Sequence, residues 1–167
     1  NGYAWAQLPI DLPGTPYVYG LYVDSSMLFQ ATSTAGTATS AYLNTITNAG
    51  TARAYPVVHI KRDGGTSATV QWLKNETTGA TIYLNYSLLD GEELVIDFRL
   101  FAKRELYSSY FGTVTGRAML RGSQFTEFYL QPGANSISAY VAQVGSPTMT
   151  QYLEYCVTHE SADGAAA

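Results

Sequence analysis

Two histidines, one cysteine and a few scattered carboxylates are the side chains of this chain best equipped to do chemistry, and their spacing assembles none of the familiar centres. His59 lies in an alternating apolar and polar run and His159 near the carboxy end, neither with Asp, Glu, Cys or His spaced as a metal set. Both are expected to be structural, and no metal or cofactor site is expected. Cys156 is the single cysteine, so neither an internal disulfide nor a site built from several thiolates can form. No Gly-x-Ser-x-Gly elbow anchors a nucleophile. The strongest catalytic alternative is a pair of carboxylates, Glu127 and Glu154, because sandwich glycosidases hold two inward acids roughly 5 to 10 Å apart. Neither acid belongs to a repeated acid pattern on one strand. Asp90, Glu92 and Glu93 fall in a turn, where solvent exposure is expected.

Aromatics offer a binding chemistry instead. Trp5, Trp72 and fourteen tyrosines could stack on sugar rings, with Tyr83, Tyr129, Tyr140 and Tyr152 at strand positions able to face outward. Protein contacts and coverage of sheet surface are the favoured role for these tyrosines, and Trp72 is expected in the core. Asn75-Glu76-Thr77 and Asn85-Tyr86-Ser87 match the glycosylation triplet, which carries meaning only in a secreted eukaryotic protein.

These residues need elements to position them, and the composition says which. The chain has 167 residues, long enough for one domain and its core, with only 9 basic and 13 acidic side chains against abundant Thr, Ser, Gly and Tyr. That is the composition of β-sheet. A net charge of −4 without a basic cluster argues against binding the nucleic-acid backbone, and no apolar run reaches the roughly 20 residues of a membrane span. The start at Asn1 and the close on Ala165-Ala166-Ala167 point to a fragment or processed product.

Leu8 to Pro16 carries three prolines that oppose helix and central strand, so residues 1–50 are expected to be an extended, irregular amino-terminal arm with one or two strands, including Tyr17–Val23. A Ser/Thr/Ala/Gly stretch from Ala31 to Ser40 is read as a flexible surface loop. From Pro56 the pattern tightens. Val58 and Ile60 alternate with His59 and Lys61 ahead of Arg62-Asp63-Gly64-Gly65, and Ile82, Leu84, Tyr86 and Leu88 recur at period two, facing the core. After the turn at Asp90-Gly91-Glu92, Leu94, Ile96, Phe98 and Leu100 form a second apolar row. Further strands are expected around Leu106–Phe111, Val114–Leu120, Phe125–Leu130, Ser136–Val144 and Thr148–Thr158, with no useful helical stripe. The expectation is an all-β, antiparallel two-sheet sandwich over 51–158, with a flexible tail at 159–167. A jelly roll is favoured over an immunoglobulin-like sandwich or closed barrel.

Four segments occur in order: Asn48-Ala49-Gly50-Thr51-Ala52-Arg53-Ala54-Tyr55-Pro56-Val57, Leu73-Lys74-Asn75-Glu76-Thr77-Thr78-Gly79, Leu89-Asp90-Gly91-Glu92-Glu93-Leu94-Val95-Ile96-Asp97, and Phe128-Tyr129-Leu130-Gln131-Pro132-Gly133-Ala134-Asn135-Ser136-Ile137. Together they resemble the carboxy-terminal domain of siphovirus-type phage distal tail proteins. The resemblance implies a galectin-like or jelly-roll sandwich, a place in the virion tail, and a structural role with no enzyme activity. It also implies contacts with other tail proteins and with copies of itself. Only about fifty residues precede Asn48, where the family carries a ring-forming domain. The alternatives are a carbohydrate-binding module for host adhesion and, behind it, a glycoside hydrolase. Neither nucleic acid nor membrane is an expected partner.

Overall fold

A computed structural model describes residues 23–34, 40–100, 105–144 and 147–158, of which 23–34, 40–44 and 143–144 are described by backbone alone. Among the described residues, ten strands form two antiparallel sheets. In chain order they are β1 (Val23–Thr34), β2 (Ser40–Asn48), β3 (Val57–Arg62), β4 (Ser67–Asn75), β5 (Thr81–Leu88), β6 (Glu93–Asp97), β7 (Leu106–Ser108), β8 (Gly112–Thr113), β9 (Gly133–Val144) and β10 (Thr148–Thr158). One sheet runs β1-β10-β3-β6-β7-β8 and the other β2-β9-β4-β5. They pack as a sandwich around a single apolar cluster.

The core follows from period two. Ile82, Leu84, Tyr86 and Leu88 of β5 are all buried, as are Leu94 and Ile96 of β6 and the Phe98 that follows it. Leu100 breaks the expected row and is 46% exposed. β6 ends at Asp97, whose carboxylate accepts the Arg99 backbone N–H at 3.0 Å and also binds the Arg99 guanidinium. An Asp that bonds the backbone two residues on turns the chain and cancels the alternation.

Two expected strands are short turns instead. Thr115–Ala118 is one helical turn, α1, and Phe125–Glu127 a 3-10 turn. Val114, Ala118 and Leu120 fit period two, but Val114 and Ala118 also fit the i, i+4 spacing of a helix, and that spacing prevails. The Ala118 N–H bonds the Val114 carbonyl at 2.8 Å, both side chains are buried, and Leu120 is left 47% exposed. Phe125 and Phe128 pack on Phe98 with ring centroids at 4.7 and 4.2 Å. Leu130 then forms an isolated bridge with Ala54.

Trp72 is not in the core. A bulge between Val70 and Trp72 of β4 shifts the pleat, so Ala68 and Val70 point inward before it and Leu73 and Asn75 after it. One extra residue reverses every later side chain. Trp72 therefore lies half-buried on the outer face, stacked on Tyr140 of β9.

Gly65 shows why the Arg62–Gly65 turn needs glycine. Its φ is +82°, and an added Cβ would sit 2.3 Å from the Pro147 Cα. Ala31 to Thr34 is strand and Ser40 opens β2, so the segment read as a loop is strand at both ends, while 35–39 lie outside the described residues. The Leu8–Pro16 arm and the 159–167 tail also lie outside them.

Candidate interaction surface

Three buried asparagines organise one end of the sandwich. Asn48, at the end of β2, donates to the Ala52 and Leu130 carbonyls and accepts from Gly50 N. Asn75, at the end of β4, donates to the Tyr129 carbonyl at 2.7 Å and accepts the N–H groups of Thr77 and Thr78. Asn135, near the start of β9, bonds both the N–H and the carbonyl of Gln131 and also the Gly133 carbonyl. All three converge on residues 129–131. Side-chain amides thus supply partners there that a neighbouring strand supplies elsewhere. Asn75 is 0% exposed and its amide is engaged, so its glycosylation triplet is closed by folding, whereas Asn85 is exposed on β5.

The residue after Asn75 provides a pH dependence. Hydrogen bonds from Lys74 and then Ser138 hold the Glu76 carboxyl below its ordinary value of 4.5. A depressed carboxyl stabilises the fold above the unfolded value, and that contribution is lost as pH falls through the folded one. Acid titration of Glu76→Gln against the native chain should show a small stability gap above about pH 4.5 that closes below it. A gap that persists at pH 2 to 3 would assign the effect to packing.

Glu92 overturns the expectation of solvent exposure. It is 0% exposed, accepting from the Tyr86 hydroxyl at 2.6 Å, from the Ser108 hydroxyl, and from the Leu89 N–H at 2.7 Å. The carboxylate ties β5, the following turn and β7 together. Asp90 is exposed and Glu93 half-buried on β6. Burial, and then the bond to Glu92, raises the Tyr86 hydroxyl above its ordinary value. Beside this cluster lies a surface of aromatic and aliphatic side chains. Among the described residues the exposed large hydrophobics are Tyr83, Leu89, Leu100, Tyr107, Tyr110, Phe111 and Leu120, every one between positions 83 and 120. Two of them, Tyr110 and Phe111, hold their ring centroids 6.5 Å apart. The Tyr110 hydroxyl donates to the Asp90 carbonyl at 2.8 Å, and the Arg117 guanidinium lies 4.9 Å from the Phe111 ring centre. Tyr, Phe and Arg are side chains enriched at protein interfaces.

The remaining sequence candidates scatter. Glu127 is exposed on the 3-10 turn and Glu154 is half-buried on the outer face of the six-stranded sheet, so neither faces inward as a glycosidase acid would. His59 lies beside Glu93, Tyr152 and Glu154 on that face. Cys156 is half-buried, and burial raises its thiol. His159 and Trp5 lie outside the described residues.

Tyr83, Tyr129, Tyr140 and Tyr152 do not form one platform. Tyr83 and Tyr140 flank Trp72 in register on the four-stranded sheet, Tyr152 is on the other sheet, and Tyr129 packs against Arg53 and Tyr55 at the asparagine end. The Trp72 and Tyr140 rings lie 5.4 Å apart at 11°, stacked on each other rather than laid side by side for a sugar. No signal in the sequence marked the 107–117 surface, because its residues read as two strands, and Glu92 beside it read as an exposed turn residue.

A family model for the siphovirus-type tail component, C-terminal domain, matches residues 49–155. No curated protein and no solved structure matches the chain.

Proposed function

The chain belongs to the siphovirus-type tail component family, and from that membership we propose that it works near the tail tip through protein-protein contacts, without a catalytic centre. Membership makes it a structural part of the phage tail, located in the virion. The observation that supports its contact role is that, among the described residues, the exposed large hydrophobics all fall in the stretch from Tyr83 to Leu120, with Tyr110, Phe111 and Arg117 grouped at the β7–β8 end. Such a surface gains by association, because burying each ring removes apolar area from water. The partners are other tail proteins and copies of this chain. Adhesion to host carbohydrate has less support, since Trp72 spends one ring face on Tyr140.

A double substitution, Tyr110→Glu with Phe111→Glu, tests this reading in a phage complementation assay. Both side chains are about half exposed, at 54% and 51%, so the variant should fold with nearly the native Tm. It should fail to enter tails, and gold-labelled native chain should appear at the tail tip in electron micrographs. Normal incorporation of the variant, or label spread along the tube, would overturn the proposal.

A further inference from the structure

We propose that β1 joins two copies of this chain, its free edge pairing antiparallel with the β1 edge of a second copy so that their six-stranded sheets become one. The sandwich has four sheet edges among the described residues, β1 and β8 in one sheet and β2 and β5 in the other. An open edge presents a row of N–H and C=O groups that fits another extended backbone, and stable sheets shorten, charge or cover it. β8 is two residues long. β5 is covered over its first residues, where Gln124 bonds both the N–H and the carbonyl of Thr81, Ser123 accepts the Tyr83 N–H, and the Leu120 N–H donates to the Tyr83 carbonyl. β1 and β2 are long instead, at 12 and 9 residues, and both precede the family-matched stretch 49–155.

The strand itself indicates the partner. A bulge between Asp24 and Ser26 interrupts β1, but Ser26–Thr34 pairs with β10 residue for residue, from Ser26 with Cys156 to Thr34 with Thr148. That regular stretch contains no charge, proline or glycine, so nothing in it repels or interrupts a second strand. β2 carries no charge either. A two-fold dimer uses the same patch on both copies. Centred on Gln30, antiparallel pairing sets Ser26 opposite Thr34, Met27 opposite Ser33, Leu28 opposite Thr32 and Phe29 opposite Ala31. This uses the regular stretch in full and leaves Asp24 and the bulge outside it. The preceding chain is a poorer cover, because Pro9, Pro13 and Pro16 lack the N–H that a pairing strand donates. Gln30 is the register partner of Tyr152, so position 30 belongs with it to the outer face of the sheet, away from the apolar core.

Sedimentation equilibrium of the full chain should show a reversible dimer. Gln30→Lys and Gln30→Glu each set like charges directly opposite one another across the two-fold, and each should weaken association by about fivefold while keeping the native circular dichroism. An equimolar mixture of the two variants should restore dimers, because opposite charges then meet. In a Cys156→Ser background, Gln30→Cys should oxidise to a covalent dimer, since directly opposite positions of a strand pair lie within disulfide reach. Asn85→Cys in the same background, exposed on β5, should not. Tyr110→Glu with Phe111→Glu should dimerise as the native chain does, which separates this edge from the 83–120 surface. A chain that stays monomeric at high concentration would overturn the proposal, and β1 would then be covered by another tail protein or by the chain's own first residues. Dimers indifferent to charge at position 30, or variants that the mixture does not rescue, would also overturn it, since the copies would then meet elsewhere.

Discussion

Glu92→Ala should destabilise the fold by about 3 to 5 kcal/mol, because it strands three donors that the buried carboxylate now satisfies. Those donors are the Tyr86 and Ser108 hydroxyls and the Leu89 N–H, and an unpaired buried donor costs about 1 to 3 kcal/mol. Partial relaxation at the Leu89 turn keeps the total below the sum. Glu92→Gln should fall between the native chain and alanine, as it keeps one acceptor and offers an unwanted amide. Urea unfolding would measure both, and a loss under 1 kcal/mol for alanine would show that the cluster holds itself together without the carboxylate. The effect should reach the interaction surface, since Arg117 spans the Tyr86 and Phe111 rings.

Asn75→Ala should cost about 3 kcal/mol, as it removes the partners of the Thr77 and Thr78 N–H groups and of the Tyr129 carbonyl. Asn75→Asp separates the contributions. It keeps an acceptor for the two N–H groups but sets a carboxylate oxygen against the Tyr129 carbonyl, so it too should destabilise, with the damage centred on residues 129–131. Hydrogen exchange reads this at the reciprocal bonds between Ala54 and Leu130, 2.9 and 2.7 Å long. Faster exchange at Leu130 N in both variants is expected. Protection as in the native chain, alongside lost stability, would mean that Asn75 serves only its own turn.

The four ordered segments that carry the family resemblance now have a physical reading. Asn48, Asn75 and Asn135 fall in three of them, and in space they hold the same three-residue stretch. Position in the sequence showed that these residues punctuate strands. That they share a target could not be read there, because Asn75 and Tyr129 are 54 residues apart and no local pattern records their meeting.

The buried rows were legible for a simple reason. Ile82 to Leu88 and Leu94 to Ile96 are continuous strand, where alternation in sequence is alternation in space. Legibility failed wherever a local bond interrupted that mapping: at the Trp72 bulge, at the Asp97 turn that exposes Leu100, and at α1, whose apolar spacing fits two periods. The aromatic surface was lost to view for a related reason: the strand expected over Leu106–Phe111 stops at Ser108, so Tyr110 and Phe111 lie in the turn before β8, and the strand expected over Val114–Leu120 is the turn α1.

By itself the sequence determined an antiparallel β-sandwich, the core face of its regular strands, and through four ordered segments its place among phage tail components. Those depend on local period and on turn residues, which are written consecutively along the chain. The tertiary structure alone decided that Glu92 is buried, that three asparagines share one target, and that His59 faces Glu154 across two strands. Each of these depends on side chains brought together by long-range pairing, and a linear pattern does not encode which distant partner will satisfy a polar group.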